Sequence, residues 1–286
     1  MTLTPLLEVR GLTHIYGPGC NSCLELTGPD WETNICPRCG AVVAVGDVSF
    51  ELYPDEVLGI VGESGSGKST LVRLLAFDLK AEIGEMYVRA PDERSLALLP
   101  FGVNLFTLSP FQKRQVRNAL MGLVYQDPQL GLRLAVSSGG NIAERLLMAG
   151  WRNFQAMRRR GAELLEKTEI PISRMDEPPR AFSGGMRQRV QIAKALSTNP
   201  LFLFLDEVTT GLDLSVQARV LDLLRNLQRQ FRLAMLVVSH DLGVIRLLTT
   251  RTMVMRCGRI VESGLTDQIL EDAQHPYTQL LVQSQL

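Results

Sequence analysis

Neither sign of charge dominates this chain: across 286 residues, thirty lysines and arginines stand against thirty aspartates and glutamates. With no net field to attract polyanions, charge gives a nucleic-acid partner no support. Also missing is any apolar run approaching the ~18 residues that cross a bilayer. The opening Met1-Thr2-Leu3-Thr4-Pro5 lacks the basic region and apolar stretch of a secretory leader. The expectation is a cytoplasmic protein with no direct membrane span and no nucleic-acid partner. Cysteine is scarce, five residues in all, and four of them lie between residues 18 and 44. Hydrophobic residues make up 45%, ample for one large or two small packed cores.

What is present starts with Val57-Leu58-Gly59-Ile60-Val61, a short apolar strand running into Gly62-Glu63-Ser64-Gly65-Ser66-Gly67-Lys68-Ser69-Thr70. Leu71, Val72, Leu74 and Leu75 then recur at helical spacing. A strand, Gly-x-x-x-x-Gly-Lys-Ser and a helix in that order make a P-loop, a pattern that a chance glycine-rich turn would not complete. The glycines let backbone N–H groups wrap around phosphates, and the following helix adds partial positive charge at its N-terminus. Gly62, Ser64, Gly65, Gly67, Lys68, Ser69 and Thr70 are therefore assigned to a phosphate chain. Lys68 is expected to reach the β- and γ-phosphates and the Ser69 hydroxyl to ligate Mg²⁺.

Before the P-loop, Leu6 to Tyr16 reads as a strand and Val45 to Tyr53 as a second, with residues 18 to 44 breaking the pattern as an insertion. After it, residues 81 to 118 read as irregular, with Lys113, Arg114 and Arg117 as a solvated basic face. Ala119 to Tyr125 reads as a strand ending at Gln126, and Asn141 to Lys167 as helical. Phe182-Ser183-Gly184-Gly185-Met186 opens another helix carrying Val190, Ile192, Ala193 and Leu196. Ser183, Gly184 and Gly185 would make a second anion-binding helix end, or only an N-cap with a tight turn.

The run Leu201-Phe202-Leu203-Phe204-Leu205-Asp206-Glu207 fits a strand buried on both faces of a parallel sheet. Its two carboxylates sit at the carboxyl end, where open α/β sheets place their ligands. With a P-loop in the same chain, Asp206 is expected to hold Mg²⁺, directly or through water, and Glu207 to act as general base on the attacking water. A turn and helix from Gly211-Leu212-Asp213 to Gln230 come next, then a strand Ala234 to Ser239 ending at His240, which at this place in the order reaches a γ-phosphate or its water. Alternating strands and helices through Leu270 give an α/β layer arrangement.

Inside the insertion, Cys20-Asn21-Ser22-Cys23 and Cys36-Pro37-Arg38-Cys39 are two Cys-x-x-Cys pairs twelve residues apart. Four thiolates on two tight turns make the closed tetrahedral shell of structural zinc. Disulfides, an iron site on the same four sulfurs and no metal at all compete with zinc, and disulfides fit a reducing cytosol poorly. Residues 18 to 44 hold few large apolar side chains, while ordering them costs roughly 1–2 kcal/mol per residue of backbone. A structural zinc contributes on the order of 10 kcal/mol and more, enough to fold such a segment. Because P-loop and carboxylates do not depend on it, losing the metal is expected to leave basal binding at the P-loop mostly intact. Cys257, alone in a stretch that reads as a strand, is read as a small core residue.

Taken in order, the P-loop, Gln126, Ser183-Gly184-Gly185, Asp206-Glu207, Asp213 and His240 resemble the motifs of the ATP-binding cassette (ABC) ATPases over almost the whole chain. The resemblance implies a single ABC ATPase domain over residues 1–286, with a β-subdomain, a RecA-like core, a helical subdomain at 127–183 and the 18–44 insertion as a zinc-ribbon-like addition. It implies a head-to-tail dimer, homodimeric or with a second ABC subunit, in which Ser183-Gly184-Gly185 of one chain closes on the γ-phosphate at the other's Lys68. It makes Tyr16 the aromatic that stacks on adenine and Gln126 the switch glutamine, a Mg²⁺ ligand that joins Glu207 and His240 in catalysis. Val208 replaces the usual proline and Met186 the usual glutamine, both beside the phosphate-contacting atoms, so hydrolysis is expected to survive.

A narrower resemblance lies in Val136 to Leu146, Phe182 to Met186, Ser215 to Arg219, Val261 to Asp267 and His275-Pro276-Tyr277-Thr278-Gln279-Leu280-Leu281. These segments are similar to the K-type ATPase subunits of the bacterial carbon–phosphorus lyase system, which implies docking on a soluble core complex in phosphonate breakdown. The cysteine insertion departs from that pattern. The alternative is the energy-coupling ATPase of an oligopeptide- or nickel-type importer, which shares the His-Pro-Tyr-Thr tail but usually continues past this point. A nucleotide-sensing scaffold without turnover is disfavoured, because Lys68, Glu207 and His240 are all present.

Overall fold

The computed structural model describes residues 4–89 and 102–284. In chain order the strands are β1 (Leu7–Tyr16), β2 (Val42–Leu52), β3 (Val57–Val61), β4 (Ile83–Val88), β5 (Met121–Val124), β6 (Phe202–Asp206), β7 (Ala234–Val238), β8 (Arg251–Arg256) and β9 (Arg259–Leu265). The helices are α1 (Lys68–Leu75), α2 (Pro110–Leu120), α3 (Pro128–Gly131), α4 (Ser138–Met148), α5 (Phe154–Lys167), α6 (Gly184–Leu196), α7 (Leu214–Phe231), α8 (Leu242–Leu248), α9 (Thr266–Glu271) and α10 (Pro276–Gln283). The chain divides into two compact units, Met1–Lys113 with Leu236–Leu286, and Arg114–Met235.

In the first unit, β1 lies between β2 and β4 in an antiparallel sheet. Its register runs from Leu7 opposite Leu52 to Tyr16 opposite Val42. The Tyr16–Val42 pair holds the two ends of the cysteine insertion side by side, so residues 17–41 close as a loop at one end of the strands. A second layer pairs β3 with β8 in parallel and β8 with β9 antiparallel. All five residues of β3 are buried, as a strand covered on both faces requires. Ser239 N–H donates to Ile60 O at 3.1 Å, so the chain leaving β7 runs beside the end of β3.

In the second unit, β5 and β6 are parallel, from Met121 opposite Phe202 to Val124 opposite Leu205. Phe202, Leu203, Phe204 and Leu205 are fully buried there. Five helices begin at side-chain caps: the Asp127, Ser137, Asn153, Ser183 and Asp213 side chains accept from the backbone N–H groups of Gln129, Gly140, Ala156, Met186 and Val216. The amphipathic α7 turns Val220, Leu221, Leu223, Leu224 and Leu227 inward.

Several expected boundaries move. Within 81–118, read as irregular, Ile83–Val88 is a strand and Pro110–Leu120 a helix; residues 90–101 lie outside the described residues. The strand's partner β1 supplies the pairing that its own weak pattern did not announce. Arg117 is no simple solvated cation, since its Nη2 donates to the Tyr125 hydroxyl at 3.1 Å. The helical stretch 141–167 is two helices, separated where Gly150 adopts φ +91° and Asn153 starts a new cap. The second strand begins at Val42 rather than Val45. Cys257 sits in the turn between β8 and β9 at φ +46°, half-buried, rather than in a strand of the core.

Candidate nucleotide site

The P-loop is fully formed in the first unit. Gly62 (φ +148°) and Gly67 (φ +107°) admit no side chain, because a Cβ would come within 2.2 Å of Met255 O and 2.0 Å of Ala44 O. Gly65 (φ +83°) is different: open space surrounds it, and only the backbone conformation asks for glycine. Lys68 is buried, and its ammonium donates to Gly62 O and Glu63 O at 2.8 Å each and to Ser66 Oγ at 3.3 Å. The loop thus wraps its own cation. Gly67 caps α1 with no side-chain acceptor, leaving the first-turn N–H groups facing the loop. Tyr16, at the end of β1 and 40% exposed, lies 3.5 Å from Thr70 Oγ1 through its hydroxyl, which puts the expected adenine platform beside the helix that Ser69 and Thr70 begin. His240 follows Ser239 at the end of β7 and is exposed.

The other assigned residues lie in the second unit. Gln126 Nε2 donates to Glu207 Oε2 at 3.1 Å, and Thr210 Oγ1 donates to the same oxygen at 3.3 Å. Asp206 is buried at the end of β6, while Glu207 takes a left-handed φ of +48°, a sparsely populated conformation for a side-chain-bearing residue. Ser183, Gly184 and Gly185 open α6, with Ser183 as N-cap. Gly185 packs directly on the helix begun by Asp213, since a Cβ there would stand 2.3 Å from Val216 Cγ1. Asp213 caps that helix by accepting from Val216 N at 3.0 Å and from the Ser215 hydroxyl at 2.7 Å. The Ser215 hydroxyl, then the Val216 N–H, hold its carboxyl below the usual range.

Sequence reading missed the group that aims Gln126. Gln191, fully buried on α6, accepts from Tyr125 N at 2.7 Å and donates to Tyr125 O at 3.1 Å. Its amide therefore replaces both strand partners of the residue before Gln126. Gln188, also buried, donates to the same carbonyl at 3.5 Å. Arg145, on α4, donates to Met121 O at the start of β5, and burial pushes its guanidinium down to about 10. The signal available for Gln188 and Gln191 is polar side chains on the buried face of their helix, three residues apart.

The four insertion cysteines come together. Their sulfurs lie within 4.8 Å of one another, with Cys20–Cys36 at 3.8 Å, Cys20–Cys23 at 3.7 Å and Cys23–Cys39 at 3.5 Å. A tetrahedral shell with Zn–S bonds of about 2.3 Å has edges of about 3.8 Å, whereas a disulfide is about 2.05 Å long, so the donor set fits a metal and not a bridge. Each pair is a tight turn: Cys23 N–H donates to Cys20 O, and Gly40 N–H to Cys36 O. The Cys20 N–H lowers the Cys23 thiol, but burial and the neighbouring sulfurs outweigh it and push Cys23 up to about 12. The Ala41 N–H, against burial and with help from the other sulfurs, brings Cys39 down to about 7.

Residues 45–210 match the ABC transporter family. The chain belongs to that family. It is an ABC ATPase. It is 46% identical, over 99% of its length and 98% of the relative's, to the putative phosphonates utilization ATP-binding protein PhnK of Escherichia coli (strain K12). It is also 40% identical over 85% of its length, and 71% of the relative's, to a putative peptide import ATP-binding protein of Brucella abortus (strain 2308). Among solved structures, the dimeric post-hydrolysis state of the ATP-binding cassette MJ0796 bound to ADP and Pi shares the fold, with TM-score 0.73 at 24% identity over 91% of this chain and 98% of that one. Among the described residues no helix is long and apolar enough to cross a membrane.

Proposed function

We propose that this ABC ATPase is the ATP-hydrolysing subunit of a carbon–phosphorus lyase system, acting on a soluble core complex in phosphonate catabolism through a head-to-tail dimer. The observation that carries the reading is the end-to-end match to a phosphonates utilization protein, at 46% identity with almost nothing left over in either chain. Lys68 and the P-loop N–H groups bind the phosphate chain, Tyr16 stacks on the base, and Glu207, aimed by Gln126, takes the proton of the attacking water. His240 orients that water and the γ-phosphate. Ser69 and Gln126 would hold Mg²⁺, with Asp206 behind them, and the ion would supply charge neutralisation on the phosphates. Ser183, Gly184 and Gly185 complete the partner chain's site, each helix end facing a γ-phosphate.

The four cysteines hold one structural zinc per chain, on the strength of sulfur spacings that suit a tetrahedral shell. The metal supplies folding energy to the insertion and takes no part in hydrolysis.

The peptide-import relatives support a second reading, an importer's energy-coupling subunit. Affinity purification of the chain from its native cells separates the two. Recovery of soluble lyase subunits is expected, with ATP changing the shape or activity of the complex. Recovery of a membrane permease decides for the importer.

A further inference from the structure

The insertion was expected to stand apart from the phosphate loop. It does not. Asn34 Nδ2 donates to Gly65 O at 3.3 Å, a direct contact from the cysteine loop to the centre of the P-loop. Asn34 is itself fixed two residues before Cys36, because its carbonyl accepts from Val43 N at 2.8 Å and Ile35 bridges to Val42.

Two further paths run the same way. Ser66 O accepts from Gly258 N at 3.0 Å in the β8–β9 turn, and the neighbouring Arg259 reaches into the insertion to donate to Leu24 O at 2.6 Å. Glu63 N donates to the Tyr277 hydroxyl at 3.0 Å; Arg256 lies over the Tyr277 ring at 4.9 Å and donates to Glu32 at 2.9 Å. Glu63, Gly65 and Ser66, three positions of the phosphate cradle, are each tied to the segment that the cysteines fold.

We infer that the cysteine insertion is a metal-dependent brace for the phosphate loop, with Asn34 as its positioning residue. At Gly65 φ is +83° and a Cβ would meet nothing within 4 Å, so no side-chain packing holds this position. A donor on its carbonyl fixes the 65–66 peptide, whose N–H donates to Glu63 O at 3.1 Å, one of the carbonyls that hold the Lys68 ammonium. A cradle held in its binding conformation before nucleotide arrives loses less entropy on binding. Without the metal, residues 17–41 cannot offset their ordering cost and the Asn34 donor is no longer held in place. This inference rests on the proposed zinc site and deepens it.

The test combines Asn34→Ala with metal removal in the full-length protein, reading metal content by elemental analysis, ATP affinity by titration with Mg²⁺ restored, and KM and kcat separately. One exposed hydrogen bond corresponds to a loss of roughly 3- to 10-fold in affinity. Asn34→Ala is expected to keep its full metal content, to raise Kd and KM by that factor and to leave kcat unchanged, as befits a residue that touches the loop and not the reacting atoms. Metal-stripped wild type should lose at least as much, and the stripped variant should bind no more weakly than stripped wild type, because both changes remove the same contact. An Asn34→Ala protein with wild-type KM overturns the inference, as do losses that add independently. Wild type isolated with less than about 0.2 metal per chain overturns the zinc site and the brace's dependence on it, while the Asn34→Ala arm still reports the contact by itself.

Discussion

Gln126 and Glu207 meet at 3.1 Å although they leave different strands, Gln126 two residues beyond β5 and Glu207 immediately beyond β6. The parallel pairing of those strands, with Val124 opposite Leu205, sets the distance, and the Gln191 clamp on Tyr125 keeps it. The amide donates to the carboxylate proposed as general base.

Removing that donor should therefore cost turnover more than binding. Gln126→Ala is expected to lower kcat by roughly 10-fold or more, the range of a hydrogen bond to a charged group. Steady-state kinetics over ATP concentration measure it, and an unchanged kcat would show that Glu207 needs no help from this side chain.

Gly185 and Val216 give a prediction about packing. A Cβ at Gly185 would stand 2.3 Å from Val216 Cγ1, and α6 cannot recede without disturbing Gln188 and Gln191 on its next turns. Gly185→Ala should destabilise the protein by about 1–3 kcal/mol, as overpacking does, and Val216→Ala added to it should restore most of that. Denaturant midpoints of the single and double variants decide; a single variant as stable as wild type would mean that the two helices are not held this close.

The site was legible where chemistry requires a fixed spacing. Lys68 in the P-loop, Asp206-Glu207 after a buried apolar strand and two Cys-x-x-Cys pairs each impose one arrangement on the backbone, so local sequence was sufficient. What escaped was set by partners distant in the chain. β4 is a strand because β1 pairs with it, although its own burial alternates poorly. The contacts of Asn34 and Arg259 exist only because Tyr16 pairs with Val42 and closes the insertion against the β8–β9 turn. Gln191 reads as one more polar residue until the Tyr125 peptide is found beside it.

The cysteine cluster makes a prediction independent of nucleotide. Cys36→Ser with Cys39→Ser removes half of the sulfur shell, so bound metal should fall from about one per chain towards zero. Limited proteolysis should then open new cuts between residues 17 and 41, where the ordering cost is no longer offset. A double variant holding as much metal as wild type, with no new cuts, would show that these cysteines neither bind the ion nor fold the loop.

The proposed function requires two chains to share each ATP, with Glu207 as base, and one paired measurement tests both. Turnover per chain is measured as protein concentration rises, and Glu207→Gln is sedimented with and without ATP. Wild-type turnover per chain should climb with concentration, while Glu207→Gln should lose on the order of 10²-fold or more in rate and sediment as an ATP-dependent dimer. A Glu207→Gln protein that turns over like wild type and stays monomeric in ATP would contradict both the role of Glu207 and the shared site.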